Sequence, residues 1–155
     1  MLKKALKKKK QTTAREKLER EHPSHGTIAT GRKGESLLIP RPLDVDAAMR
    51  GVRKGRVQTM GELRARLARD AGAESACPLC TGIFARMAAE AAEEDRHAGR
   101  KRITPYWRTV RDNGSMNEKF PGGRQAQAAM LRTEGIRLNP GQGKKSPRVV
   151  AARSK

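Results

Sequence analysis

The sequence predicts a mainly α domain built around a helix-turn-helix and flanked by basic, disordered tails. Three observations lead there. Apolar side chains recur at helical spacing from Thr59 toward Gly72. A second such stretch opens at Pro78 and stops before Gly99. Most of the formal charge of +19 lies outside both stretches, with +8 in residues 1–34, +6 in residues 137–155 and only +5 between them.

The 155 residues suggest one domain plus tails. Hydrophobic residues make up 35% and aromatics 3%, which is thin for a chain packed throughout, so part of it is expected to be disordered. The pI of about 11.1 predicts attraction to a polyanion, with nucleic acid ahead of an anionic membrane. No apolar run is long enough to span a bilayer. The basic start is followed by no apolar stretch, so no secretory signal is expected. With two cysteines, the chain reads as intracellular with reduced thiols, either cytoplasmic (nucleoid-associated) or nuclear. No cofactor, membrane or small-molecule substrate is expected.

Residues 1–36 read as a basic arm. Its lysine run suits a solvated tail, a non-specific phosphate-binding arm or a targeting signal. Residues 14–21 suit a transient helix with little apolar face, and residues 23–34, rich in Gly, Ser and Thr, read as a linker. Order begins near Leu37-Leu38-Ile39-Pro40. A first helix is expected over 43–50, with Leu43, Ala47 and Val52 inward and Gly51 closing it. Thr59 opens the next helix, with Glu62 at capping-box spacing. Met60, Leu63 and Leu67 form its buried stripe, and Gly72 ends it. Pro78 is a favourable first-turn residue for the following helix, which would bury Ile83, Phe84, Met87, Ala88 and Ala91. Two helices joined by a turn are a helix-turn-helix pattern. Asp112-Asn113-Gly114 is a turn signal, and residues 124–134 form a last helix ended by Gly135. Residues 137–155, rich in Gly, Lys, Arg and Ser, read as a disordered tail.

Cys77-Pro78-Leu79-Cys80 has the spacing of a zinc or redox pair. A structural zinc needs four ligands, and only His97 is a nearby third candidate. Ordinary helix-start cysteines are the favoured reading. A thiol at a helix N-terminus would have a lowered pKa and mild reactivity.

Several short motifs then fall in a familiar order over residues 39–136. Gly55-Arg56-Val57 precedes Thr59-Met60-Gly61-Glu62-Leu63. Thr81-Gly82 follows, then Pro105-Tyr106-Trp107-Arg108, Phe120-Pro121-Gly122-Gly123, and Leu131 with Glu134-Gly135. The set resembles the DNA-binding domain of the methylated-DNA–protein-cysteine methyltransferases, whose reactive motif reads Pro-Cys-His-Arg. The resemblance implies a winged-helix-like domain over residues 37–136 that binds double-stranded DNA, with its second helix in the minor groove. It implies DNA contacts at Thr59, Met60, Thr81, Gly82, Arg86 and Arg108, and a base pocket of Tyr106, Trp107, Phe120, Gly122 and Gly123.

The family's chemistry requires a thiolate activated by His. Tyr106 and Trp107 stand at those positions, and a phenol has a pKa near 10. The chain therefore resembles the alkyltransferase-like branch, which senses alkylated guanine for excision-repair proteins without accepting the alkyl group. It departs from the family elsewhere too. No arginine finger occurs at Pro78-Leu79-Cys80, Met60 replaces a tyrosine, and no asparagine hinge occurs in residues 88–94. Trp107 has two readings, a base-stacking ring or core filler. Arg108 has two as well, a structural hydrogen bond or a phosphate contact. Two rival functions are a transferase acting through Cys77 or Cys80, and a basic architectural protein associated with DNA or RNA.

Overall fold

The computed structural model describes residues 11–150. The lysine run of the expected basic arm, residues 3–10, lies outside them, as do residues 151–155 of the expected tail. Among the described residues the chain is 44% helical and 12% strand. The domain is thus mixed: helices carry the core, and strands of two or three residues clip it together.

The first helix, α1 (Ala14–Glu19), lies where a disordered arm was expected. Thr13 and Glu16 form a reciprocal capping box. Ala14 and Leu18, spaced i,i+4, are buried. The N-terminus of α1 sits on Glu94, whose carboxylate accepts from the Ala14 and Arg15 amides at 2.9 Å each. Arg15 pairs with buried Asp95 at 2.5 Å. These partners lie some eighty residues away, so no local reading of a charged segment finds them.

The expected linker is a hairpin. β1 (Ile28–Thr30) pairs antiparallel with β2 (Ser36–Leu38). Gly34 takes a left-handed φ of 82° in the turn, and the Gly31 amide donates to the Glu35 carbonyl at 2.7 Å. The glycines that suggest a linker serve a tight turn here.

Next come α2 (Pro42–Arg50), β3 (Gln58–Thr59), α3 (Met60–Ala71), β4 (Ser75–Ala76) and α4 (Pro78–His97). Helix α2 buries Val45, Ala48 and Met49, whereas Leu43 is 47% exposed and Ala47 is exposed; Val52, just past the helix, is buried as expected. The inward face is therefore rotated from the expected one. In α3 the Thr59 hydroxyl accepts from the Glu62 amide at 3.1 Å, and Gly72 ends the helix in the left-handed region. Leu63 and Leu67 are buried, with Met60 half-buried against the core. β2 runs parallel to β4, which places the hairpin against the entry to α4.

Helix α4 is the central element. Ala85, Ala88, Ala89, Ala91 and Ala92 are fully buried, and their small side chains let α1 and α2 approach closely. Ile83, expected inside, is 49% exposed, and Phe84 and Met87 are partly buried. The acidic far end of α4 faces inward contacts: Glu94 and Asp95 hold α1, and Glu93 holds Tyr106.

A 3₁₀ turn at Tyr106–Arg108 leads into β5 (Thr109–Val110), which runs parallel to β3. The Asp112-Asn113-Gly114 turn forms, with Gly114 at φ 81°. Helix α5 (Gly123–Thr133) packs over a second small core of Val110, Met116, Ala128 and Leu131. Residues 138–149, expected as part of a disordered tail, hold the antiparallel pair β6 (Leu138–Asn139) and β7 (Arg148–Val149). Val149 docks on Gly114 and packs against the second core, which ties this segment down.

Candidate nucleic-acid interface

The expected base pocket is a closed cluster of rings. Tyr106 is 1% exposed and Phe120 2%. Their rings meet edge-to-face at 5.5 Å, and Tyr106 meets Trp107 the same way at 5.4 Å. The Tyr106 hydroxyl donates to Glu93 Oε1 at 2.7 Å. Burial, then this hydrogen bond to a carboxylate, pushes the phenol pKa well above its ordinary value. Gly122 and Gly123 have φ of 76° and 72° and form the turn that starts α5. A Cβ on Gly122 would lie 2.6 Å from the Ala126 Cβ.

Trp107 and Arg108 both bond to Glu134. Trp107 Nε1 donates to Glu134 Oε1 at 2.9 Å. Arg108 forks onto both oxygens of Glu134, with the closest approach 2.5 Å, and also donates to the Val52 carbonyl at 2.7 Å. Its side chain is 14% exposed, so its donors face inward and not toward a phosphate. The Arg108 bond, ahead of the Trp107 bond, holds the Glu134 carboxyl below the usual carboxylate range.

Thr81, expected as a DNA contact, is fully buried. Its hydroxyl donates to the Cys77 carbonyl one turn back, at 2.7 Å. Thr59 is half-buried, with its hydroxyl capping α3.

Met60, Gly82 and Arg86 do come together. They line an open groove of about 570 Å³ between the start of α3, the N-terminal half of α4 and the 111–119 loop. Its floor carries Leu79, 72% exposed, and Ile83 one turn on. Arg64, Arg86, Arg111 and Lys119 surround them. The two carboxylates here are engaged: Asp112 accepts from the Gly61 amide at 2.6 Å and pairs with Arg64, while Glu118 pairs with Arg124. Arg86 pairs with Glu90 at 2.9 Å on the exposed surface, a contact of little strength that a phosphate can displace. Among the described residues Arg111 and Lys119 have no ion-pair partner.

Cys77 and Cys80 are free, and Cys77 Sγ accepts from the Cys80 amide at 3.4 Å as the N-cap of α4. Burial, then Cys77, pushes the Cys80 thiol up to about 11, against the lowered value expected at a helix start. Among the described residues no cluster of three or more His, Cys, Asp or Glu side chains is arranged to hold a metal. No helix there is long and apolar enough to cross a membrane.

One residue of consequence was missed in the sequence. Gln127 is fully buried on α5. Its Nε2 donates to the carbonyls of Trp107 and Thr109, and its Oε1 accepts from the Asn117 amide. It thereby holds the 3₁₀ turn, β5 and the loop before α5 together. One of two glutamines on an Ala-rich helix, it carries no local signal of this.

No protein-family model and no curated protein matches the chain. Two solved structures resemble it: S. pombe Atl1 in complex with damaged DNA containing O6-carboxymethylguanine, at a TM-score of 0.48, and S. pombe ATL in complex with DNA, at 0.50. Each is 19% identical, over 70% of this chain and 87% of that one. The likeness to the second is one of fold.

Proposed function

We propose that this chain is a non-catalytic DNA-binding protein of the alkyltransferase-like kind, which senses alkylated guanine in duplex DNA for excision repair. The observation that carries the reading is the exposed Leu79–Ile83 pair, ringed by cations on the N-terminal half of α4. Cations on that rim suit phosphates on both sides of a groove. Leu and Ile are side chains that minor-groove proteins insert between base steps, unstacking them and kinking the duplex. Leu79 falls in Pro78-Leu79-Cys80, the region where the family that the sequence resembles carries an arginine finger. In this reading α3, α4 and the strands after them act as a winged-helix-like unit.

The fold likeness supports the reading, since the similar S. pombe proteins were crystallised with DNA. The absence of chemistry is argued from Tyr106: a buried phenol hydrogen-bonded to Glu93 is not a nucleophile at neutral pH. The open groove, and not the closed ring cluster, is where an extruded base would be received. Its volume lies in the range of ligand sites.

Fluorescence anisotropy with a short duplex tests this. The Leu79→Glu/Ile83→Glu variant should bind at least tenfold more weakly at unchanged thermal stability, because both side chains are exposed. Unchanged affinity would remove α4 from the interface.

A further inference from the structure

A second cleft lies on the opposite side of α3, between its outer face and the segment joining α2 to β3. Its volume is about 660 Å³. Arg53 and Arg56 come from the joining segment, and Arg66 and Arg69 from α3. Glu62 is the single carboxylate on its lining. None of the lining residues is shared with the α4 groove.

Three features set this cleft apart. First, all four of its arginines are without an ion-pair partner among the described residues, whereas Arg64 and Arg86 of the α4 groove each have one. Second, Arg66 and Arg69 lie one turn apart on α3, where like charges repel. Arg66 lies over Gly51, where the C-terminal carbonyls of α2 offset part of its charge. Third, Gln58 closes one wall. It is 8% exposed, and its Nε2 has no hydrogen-bond partner. Buried amides in native folds are seldom left so.

We propose that this cleft binds a phosphate group. Guanidinium forks match phosphate oxygens in geometry as well as charge, and a bound dianion would relieve the repulsion. The phosphate comes either from a nucleic-acid backbone, giving the protein a second contact away from α4, or from a free phosphorylated molecule.

The experiment uses the full chain and an Arg66→Gln/Arg69→Gln variant. Both positions are exposed, and Gln forms helix about as well as Arg, so the unfolding midpoint should stay close to that of the wild type. Inorganic phosphate is titrated while arginine side-chain NMR signals are followed, and duplex affinity is measured against salt. The expected result is that phosphate moves the Arg53, Arg56, Arg66 and Arg69 signals ahead of those of Arg86 and Arg111. If the source is a backbone, the variant's log–log salt slope also falls by about 2, at roughly 0.9 per lost phosphate contact. If it is a free phosphorylated molecule, the slope is unchanged while the NMR response disappears in the variant. Signals that move no more than those of Arg86, with an unchanged slope, overturn the proposal. The NMR response should persist in Leu79→Glu/Ile83→Glu, so failure of the α4 reading is distinguishable from failure of this one.

Discussion

The Tyr106 hydroxyl and the Glu93 carboxylate, 2.7 Å apart, tie the 3₁₀ turn to the middle of α4. Tyr106 is the only tyrosine, so tyrosinate absorbance reports this group alone. Its folded pKa is raised, so its contribution to stability is complete below about pH 10, the unfolded value, and is lost as pH rises beyond it. In an alkaline titration the native protein should show no tyrosinate near pH 10. The signal should appear together with unfolding monitored by circular dichroism. A phenol titrating near 10 in the folded protein would contradict the buried bond.

Placing a thiol at position 106 should not create methyl-acceptor chemistry. Tyr106→Cys removes a ring packed against Phe120 and Trp107 and leaves a cavity, at a cost of roughly 3 kcal/mol. Trp107 supplies no proton relay. The variant should unfold at lower urea and show no added mass after incubation with O6-methylguanine duplex.

The Arg108–Glu134 pair is largely enclosed, with side chains 14% and 9% exposed. Removing one partner of such a pair costs roughly 3–5 kcal/mol. Arg108→Gln should therefore lose stability in urea denaturation. If Arg108 were instead a phosphate contact, the variant would lose affinity for DNA at constant stability. The depressed pKa of Glu134 contributes stability above about pH 4.3, the unfolded value, and that contribution is lost as pH falls through the folded one. Comparing pH 7 with pH 3, Glu134→Gln should lose less stability than the wild type.

Cys80, with a pKa near 11, should react slowly with iodoacetamide. At pH 7.5 its alkylation, mapped by peptide mass, should be at least tenfold slower in the native protein than in the urea-unfolded chain. Fast native labelling would revive a transferase acting through this thiol.

The sequence makes some of this fold legible. The start of α3 at Thr59, its end at Gly72 and the entry to α4 at Pro78 are marked by local chemistry, and the structure has all three. Helix α1 is not legible, because its cap partner Glu94 and its ion-pair partner Asp95 lie on another helix. The inward face of α2 is misjudged because Leu43 is more apolar than Ala48, yet packing selects Val45, Ala48 and Met49 together. At the site, the same loss of local signal affects Thr81, whose hydroxyl serves its own helix. Met60, Gly82 and Arg86, named in the sequence as DNA contacts, line the open groove. Leu79, Ile83, Arg111 and Lys119 line it without being so named, since the groove is assembled from three separate segments.

Competition binding decides whether this fold distinguishes alkylated guanine from the unmodified base, as proposed. A labelled duplex carrying O6-methylguanine is displaced by unlabelled duplexes with and without the modification. The account predicts that the modified competitor is at least several-fold more effective. Equal displacement by both would contradict lesion sensing and leave a basic architectural protein.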